Sequence, residues 1–258
     1  MDDLGGRDLG RDQHRDFGDE PAPAWRTEPP DPLAPIDPNA PVSGHVASWD
    51  ESGRGSEAPE HDWTLAVERL YPVLVPPGTV GSPLGELDVA AVVAMGSRGH
   101  LQPLLDPGPA GLFVKYVIAE EGFDVTVNAE HMISWAIDPA TLREASLANL
   151  ARWVSTAAWS VETSGDRRLI SSATGRWDAS RILLASERDS LAGALAGEGR
   201  VLVGLPERHL LVAGALRQGD DEFAALLADF VAEQAEGADE PIDRRLFELV
   251  ADRVVAFE

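Results

Sequence analysis

The stretch Asn128 to Ser155, NAEHMISWAIDPATLREASLANLARWVS, constrains the fold more than any other part of the chain. Asp138-Pro139 breaks it into two helical segments. Asn128 is a cap for a first helix over Ala129–Ile137. Asp138 caps the second, with Pro139 at the first helical position, where a missing N–H leaves no bond unmade. The second helix runs to about Ser155. Leu142, Leu147, Leu150, Trp153 and Val154 give it a broad apolar face, with Arg143 an imperfection at its start.

Around these helices the apolar pattern predicts strands in local pairs. Leu112–Ala119 and Phe123–Val127 bracket the turn Glu120-Glu121-Gly122, a hairpin. Ala158–Thr163 and Arg168–Ser172 bracket Ser164-Gly165-Asp166, a second one. Asp62 begins a short helix with Trp63, Val67 and Leu70 on one face, stopped by Pro72. Leu87–Ala94 reads as a buried strand and Gly96–Gly111 as a loop. Asp178 caps a helical stretch through Ile182, Leu183 and Leu184 that continues towards Leu195 and ends at Gly197 and Gly199. Arg200–Leu205 is a strand stopping at Pro206, and His209–Leu216 a strand after it. Asp221 starts an amphipathic helix with Phe223, Leu226, Leu227, Phe230 and Val231 on one face, ended by Gly237. Asp243 begins a last short helix, Leu246 to Val250, and Arg253–Phe257 returns as a strand. No internal repeat is present. The expected class is α+β: a single domain with a mixed or antiparallel sheet and packed helices.

Residues 1–61 differ from 62–258. They hold 9 of the 19 prolines, and fourteen acidic against five basic residues, so −9 of the net charge of −23 lies there. Their apolar residues follow no period. Such a segment buries too little surface to offset its ordering entropy, and a disordered acidic tail is expected, followed by one α+β domain over 62–258. Trp25 and Trp49 are its candidate docking residues.

Charge and residue usage exclude several functions. A net charge of −23 argues against nucleic acid and against anionic lipid, both of which need a basic surface. The chain has no cysteine, which excludes thiol nucleophiles and Cys-ligated metals. Lys115 is the only lysine, so lysine chemistry can occur nowhere else. Arginine in place of lysine, with abundant Ala, Gly and Asp, fits a GC-rich bacterial genome. The start MDDLGGRDLG lacks the basic and apolar parts of a secretory signal. Val89–Met95 and Val201–Leu205 are far short of the roughly 20 residues that span a bilayer. A cytoplasmic protein without a membrane partner is expected.

No catalytic motif is present. The glycines of GTVGSPLG lack phosphate-loop spacing, and Gly96-Ser-Arg-Gly99 has no suitable helix after it. No serine sits in a nucleophile elbow. His100, His131 and His209 are the histidines outside the tail, and none has a partner at metal-ligand spacing. The expectation is therefore no catalytic residue, no metal and no cofactor. The polar residues that stand out lie in apolar runs. Arg181 precedes Ile182-Leu183-Leu184, and Arg208 follows a buried strand and Pro206. A buried arginine needs a carboxylate, for which Glu207 and Asp178 are the near candidates; otherwise it recognises a carboxylate or phosphate on a ligand. Asn149 near the end of its helix is placed to bond a neighbouring loop.

The order LYPVLVP (Leu70–Pro76), LFVKYVIAEE, SLANL at a helix end, WDASRILLA and VLVGLPERHLL resembles the YtpQ-like family of bacterial proteins. The resemblance runs roughly from Leu70 to the C-terminus and corresponds to the family's C-terminal half. It rests on Asn149-Leu150, Asp178 with Ser180-Arg181, and Pro206-Glu207-Arg208. Family members usually carry an acid after that last arginine, where this chain has His209. The family has no assigned activity, so the resemblance implies membership and no reaction. Together these readings make Arg181, Arg208, Asn149 and Asp178 the expected binding residues of a non-catalytic module with a protein partner. The alternative is a small-molecule hydrolase that holds an anionic substrate through arginine.

Overall fold

The computed structural model describes residues 58–88 and 102–258. Trp25, Trp49, Val89–Ala94, Gly96–Gly99, His100 and almost all of the acidic tail lie outside the described residues.

Two sheets carry the fold. The first joins β1 (Leu70–Val75), β4 (Phe113–Ala119), β3 (Leu104–Pro107) and β2 (Ser82–Pro83) in that order, with β5 (Asp124–Thr126) paired to β4. Its pairs are antiparallel except β2 with β3, so the sheet is mixed. The second is wholly antiparallel. Its order is β11 (Arg253–Ala256), β10 (Leu246–Val250), β8 (Arg200–Glu207), β9 (Leu210–Leu216), β7 (Arg167–Ser172), β6 (Ser160–Ser164). With five helices among the described residues, α1 (Trp63–Ala66), α2 (Ala129–Trp135), α3 (Pro139–Val154), α4 (Ala185–Leu195) and α5 (Asp221–Gly237), this is the expected α+β class.

Alternation along the strands assigns each face. Leu70 and Leu74 of β1 and Val114, Tyr116 and Ile118 of β4 share one core with Val201, Val203 and Leu205 of β8 and Leu211, Ala213 and Ala215 of β9. The other face of the second sheet, with Leu202, Val212 and Leu246, is covered by Phe223, Leu227 and Val231 of α5. Two glycines let α5 approach. A Cβ on Gly204 would lie 2.3 Å from Val231 Cγ2, and one on Gly214 would lie 2.5 Å from Phe223 Cζ. The outer face of the first sheet, with Val73 and Val117, meets Leu150 of α3 and Trp177.

Several elements differ from the sequence reading. Leu70 opens β1 and does not extend α1, and Pro72 sits inside the strand. β1 is an edge strand, where proline's lost donor breaks no ladder. Leu104–Pro107 is a strand within the predicted loop. β8 runs through Pro206, at an irregularity between Gly204 and Glu207 that accommodates it. Leu246–Val250 is a strand paired to β8, not a helix. Leu87 and Asp88 are not in a strand. Arg143 is no flaw of α3: its Nε and Nη2 fork onto Asp106 of β3 at 2.6 Å each. Tyr116 Oη donates to the same carboxylate. Burial pushes the Asp106 carboxyl up, but Arg143 and Tyr116 outweigh it and hold it below the usual range.

The predicted caps Asn128 and Asp138 both form. At the first, His131 completes a capping box, its Nδ1 accepting from Asn128 N at 3.0 Å. That bond needs an unprotonated Nδ1. Burial pushes the His131 ring below the ordinary value of 6.5. A depressed histidine disfavours its own protonation in the folded state only. The unfolded chain therefore binds the extra proton first, and stability falls as pH drops below the ordinary value. The variant His131→Gln keeps an acceptor at this capping position and cannot titrate. Urea midpoints at about pH 7.5 and about pH 5 should fall further for the parent than for the variant. Equal falls would assign the acid sensitivity to other groups.

Candidate functional site

Arg181 lies in the shared core, 1% exposed. Its Nε bonds Glu187 Oε2 at 2.8 Å, its Nη2 reaches the same oxygen at 2.7 Å, and its Nη1 donates to Ser172 Oγ at 2.8 Å. The guanidinium lies 3.8 Å above the Trp159 ring. Ser172 Oγ in turn donates to Asp178. The carboxylate of Asp178 also takes Thr174 Oγ1 and Arg176 N. That engagement corrects the expected cap: Asp178 makes no side-chain cap bond. Ala179–Leu183 is a 3-10 turn, Leu184 is extended, and α4 begins anew at Ala185. Arg188 satisfies the carbonyls of Ile182 and Leu183 at that break. The carboxylate partner of Arg181 is thus Glu187, not Asp178.

Asn149 is buried on α3 and donates through Nδ2 to Val67 O at 2.7 Å and Leu70 O at 2.9 Å. It clamps the corner between α1 and β1 and meets neither arginine.

Arg208, at the β8–β9 turn, pairs with Asp124 of β5 and with Glu240, the latter at 2.9 Å, and not with Glu207. Its guanidinium packs 4.6 Å from the Trp177 ring, which itself stacks on Tyr71 with centroids 4.5 Å apart. Burial raises the Glu240 carboxyl, but Arg208 wins and holds it below its ordinary range. Arg208 O accepts from Ala179 N, so this turn abuts the Arg181 segment while the two guanidinium groups serve different partners.

A cleft of about 570 Å³ opens beside Arg208. Lys115 and the β4–β5 hairpin form one wall; Arg176, Trp177, His209 and Glu240 line the other parts. His209 Nδ1 lies 2.7 Å from Arg176 O, a contact in which the ring nitrogen donates, because a carbonyl only accepts. Of the four expected binding residues only Arg208 reaches this cleft. Sequence reasoning passed over Arg176, Asp124 and Glu240, and marked Lys115 only as the one place for lysine chemistry; the four lie on separate segments. The uncommon lysine was the one signal that could have marked it.

A second concavity, of about 340 Å³, is apolar. On the face of the second sheet that carries α5, the helix covers the central strands and leaves β6 and β7 beside it. Leu169 of β7 and Leu226 and Phe230 of α5 line the groove, with Glu162 of β6 and Arg167 and Arg168 of β7 at its border; Arg167 pairs with Asp220 and Glu222. Leu226 is 54% and Phe230 38% exposed. At about 100° per residue, Glu222, Asp229 and Glu233 all fall within about 60° of Leu226 around the helix. Among the described residues β6 pairs with β7 alone, and all five of its residues are exposed.

Among the described residues no helix is long and apolar enough to cross a membrane, and no group of three or more His, Asp or Glu could hold a metal ion. Compared with protein-family models, with curated proteins and with solved structures, the chain matches none.

Proposed function

We propose that the chain is a non-catalytic protein-interaction module of the cytoplasm that docks a basic, apolar segment of a partner along α5 and the β6 edge. The carrying observation is the pair Leu226 and Phe230, exposed side by side beside Leu169 and Glu162. An apolar stripe left open costs solubility unless something covers it. Apolar side chains of the partner fill the groove, and its lysines or arginines meet Glu162, Asp229 and Glu233. The unpaired backbone of β6 can accept an added strand.

The hydrolase reading has one observation in its favour, the meeting of Arg208 and His209 in the cleft. Against it, Arg181 is committed to the core. Each carboxylate lining the cleft is also held by an arginine: Glu120 by Arg69, and Asp124 and Glu240 by Arg208. A carboxylate so held is a poor general base.

The test is affinity capture from the native host with the full chain beside a Leu226→Asp/Phe230→Asp variant. Both side chains are partly exposed, so melting temperatures should stay close. A partner held by the parent and recovered roughly tenfold less with the variant supports the reading. Equal recovery, or no partner at all, overturns it.

A further inference from the structure

The cleft beside Arg208 sets three cations against three carboxylates, in a chain whose net charge is −23. Arg69, Lys115, Arg176 and Arg208 stand in or behind its walls against the carboxylates of Glu120, Asp124 and Glu240. Arg69 and Arg208 take up those three acids. Lys115 and Arg176 remain, with no ion-pair partner among the described residues, although Glu240 feels the charge of Lys115 at longer range. They come from different elements, β4 and the turn before Trp177, and line the same cleft. At its mouth Phe123, on the hairpin tip, is 62% exposed.

This arrangement has the parts of an anion site. Fixed ion pairs leave the acids unable to turn towards the free cations. Arg176 offers a planar fork that fits carboxylate or phosphate, and Lys115 a compact charge. Phe123 offers an apolar face for the body that carries the anionic head. We propose that the cleft binds a small organic anion, a phosphate or carboxylate head on an apolar or aromatic body, between Lys115, Arg176 and Phe123. This site is independent of the α5 groove, and either can stand without the other.

Because Lys115 is the only lysine, its amine reports on the cleft directly. The full chain is acylated with an amine-reactive reagent, and modification at Lys115 is followed by mass spectrometry. Phenyl phosphate and benzoate are the probes; phenol and sodium chloride at matched ionic strength are the controls. The expected result is a several-fold slowing at Lys115 by one or both anionic probes, with the stronger identifying the head group. Arg176→Gln, an exposed change, should weaken the protecting anion roughly tenfold, as loss of a charged hydrogen bond does. No slowing, slowing equalled by phenol or by sodium chloride, or slowing unchanged in Arg176→Gln would each overturn the site.

Discussion

Replacing Arg181 by methionine should destabilise the protein by about 3–5 kcal/mol, the usual result of removing one partner of a buried ion pair. The cause is what remains: Glu187 is left in a buried place without its cationic partner, and Ser172 loses the donor from Arg181 Nη1. The stack on Trp159 goes as well. For a domain of this size the melting temperature should fall on the order of 10 °C. Arg181→Lys should recover little, because an ammonium cannot reproduce the fork or lie flat on the indole. The decisive comparison is the double variant Arg181→Met/Glu187→Leu. With no charge left to strand, most of the lost stability should return. A double variant as unstable as the single one would show that the arginine contributes something beyond its pair.

Asn149→Asp should cost about 3 kcal/mol or more, although it changes one atom's identity and no volume. The amide now donates to two carbonyls, Val67 O and Leu70 O. A carboxylate has only acceptors and would face both oxygens with like charge, in a buried place where each lost bond costs about 1–3 kcal/mol. Asn149→Ala should be milder, since it leaves the carbonyls undonated without repelling them. Chemical denaturation of both variants checks the order. If Asp proves no worse than Ala, the amide donates less than the geometry implies.

These two residues mark where the sequence could be read and where it could not. Asn149 stood out as a polar residue at a helix end, and its partner is indeed the adjoining corner of backbone. Arg181 and Arg208 stood out as arginines in apolar runs, and both are paired. Their partners were not legible. Glu187 is six residues from Arg181 across the extended residue Leu184 that separates two helical turns, a spacing no helical rule selects. Asp124 is brought to Arg208 only by the meeting of two sheets. Local chemistry located both hairpins and the caps at Asn128 and Asp138 because turns and caps are decided within a few residues. The same locality failed at Leu246–Val250, where five residues, four of them apolar, fit a strand or a helix equally and pairing with β8 decides. Proline misled twice, at Pro72 and Pro206, because an edge and a bulge are properties of the assembled sheet.

The order of the second sheet also sets how its backbone breathes. β8 and β9 have ladder neighbours on both sides, so their amides open only with the whole unit and should exchange hydrogen slowest. β6, paired on one side alone, should open by itself and exchange early. A partner strand laid along that edge would turn it into an interior strand. Its arrival would then be written into the exchange rates of Ser160 to Ser164, while β8 and β9 stayed as slow as before.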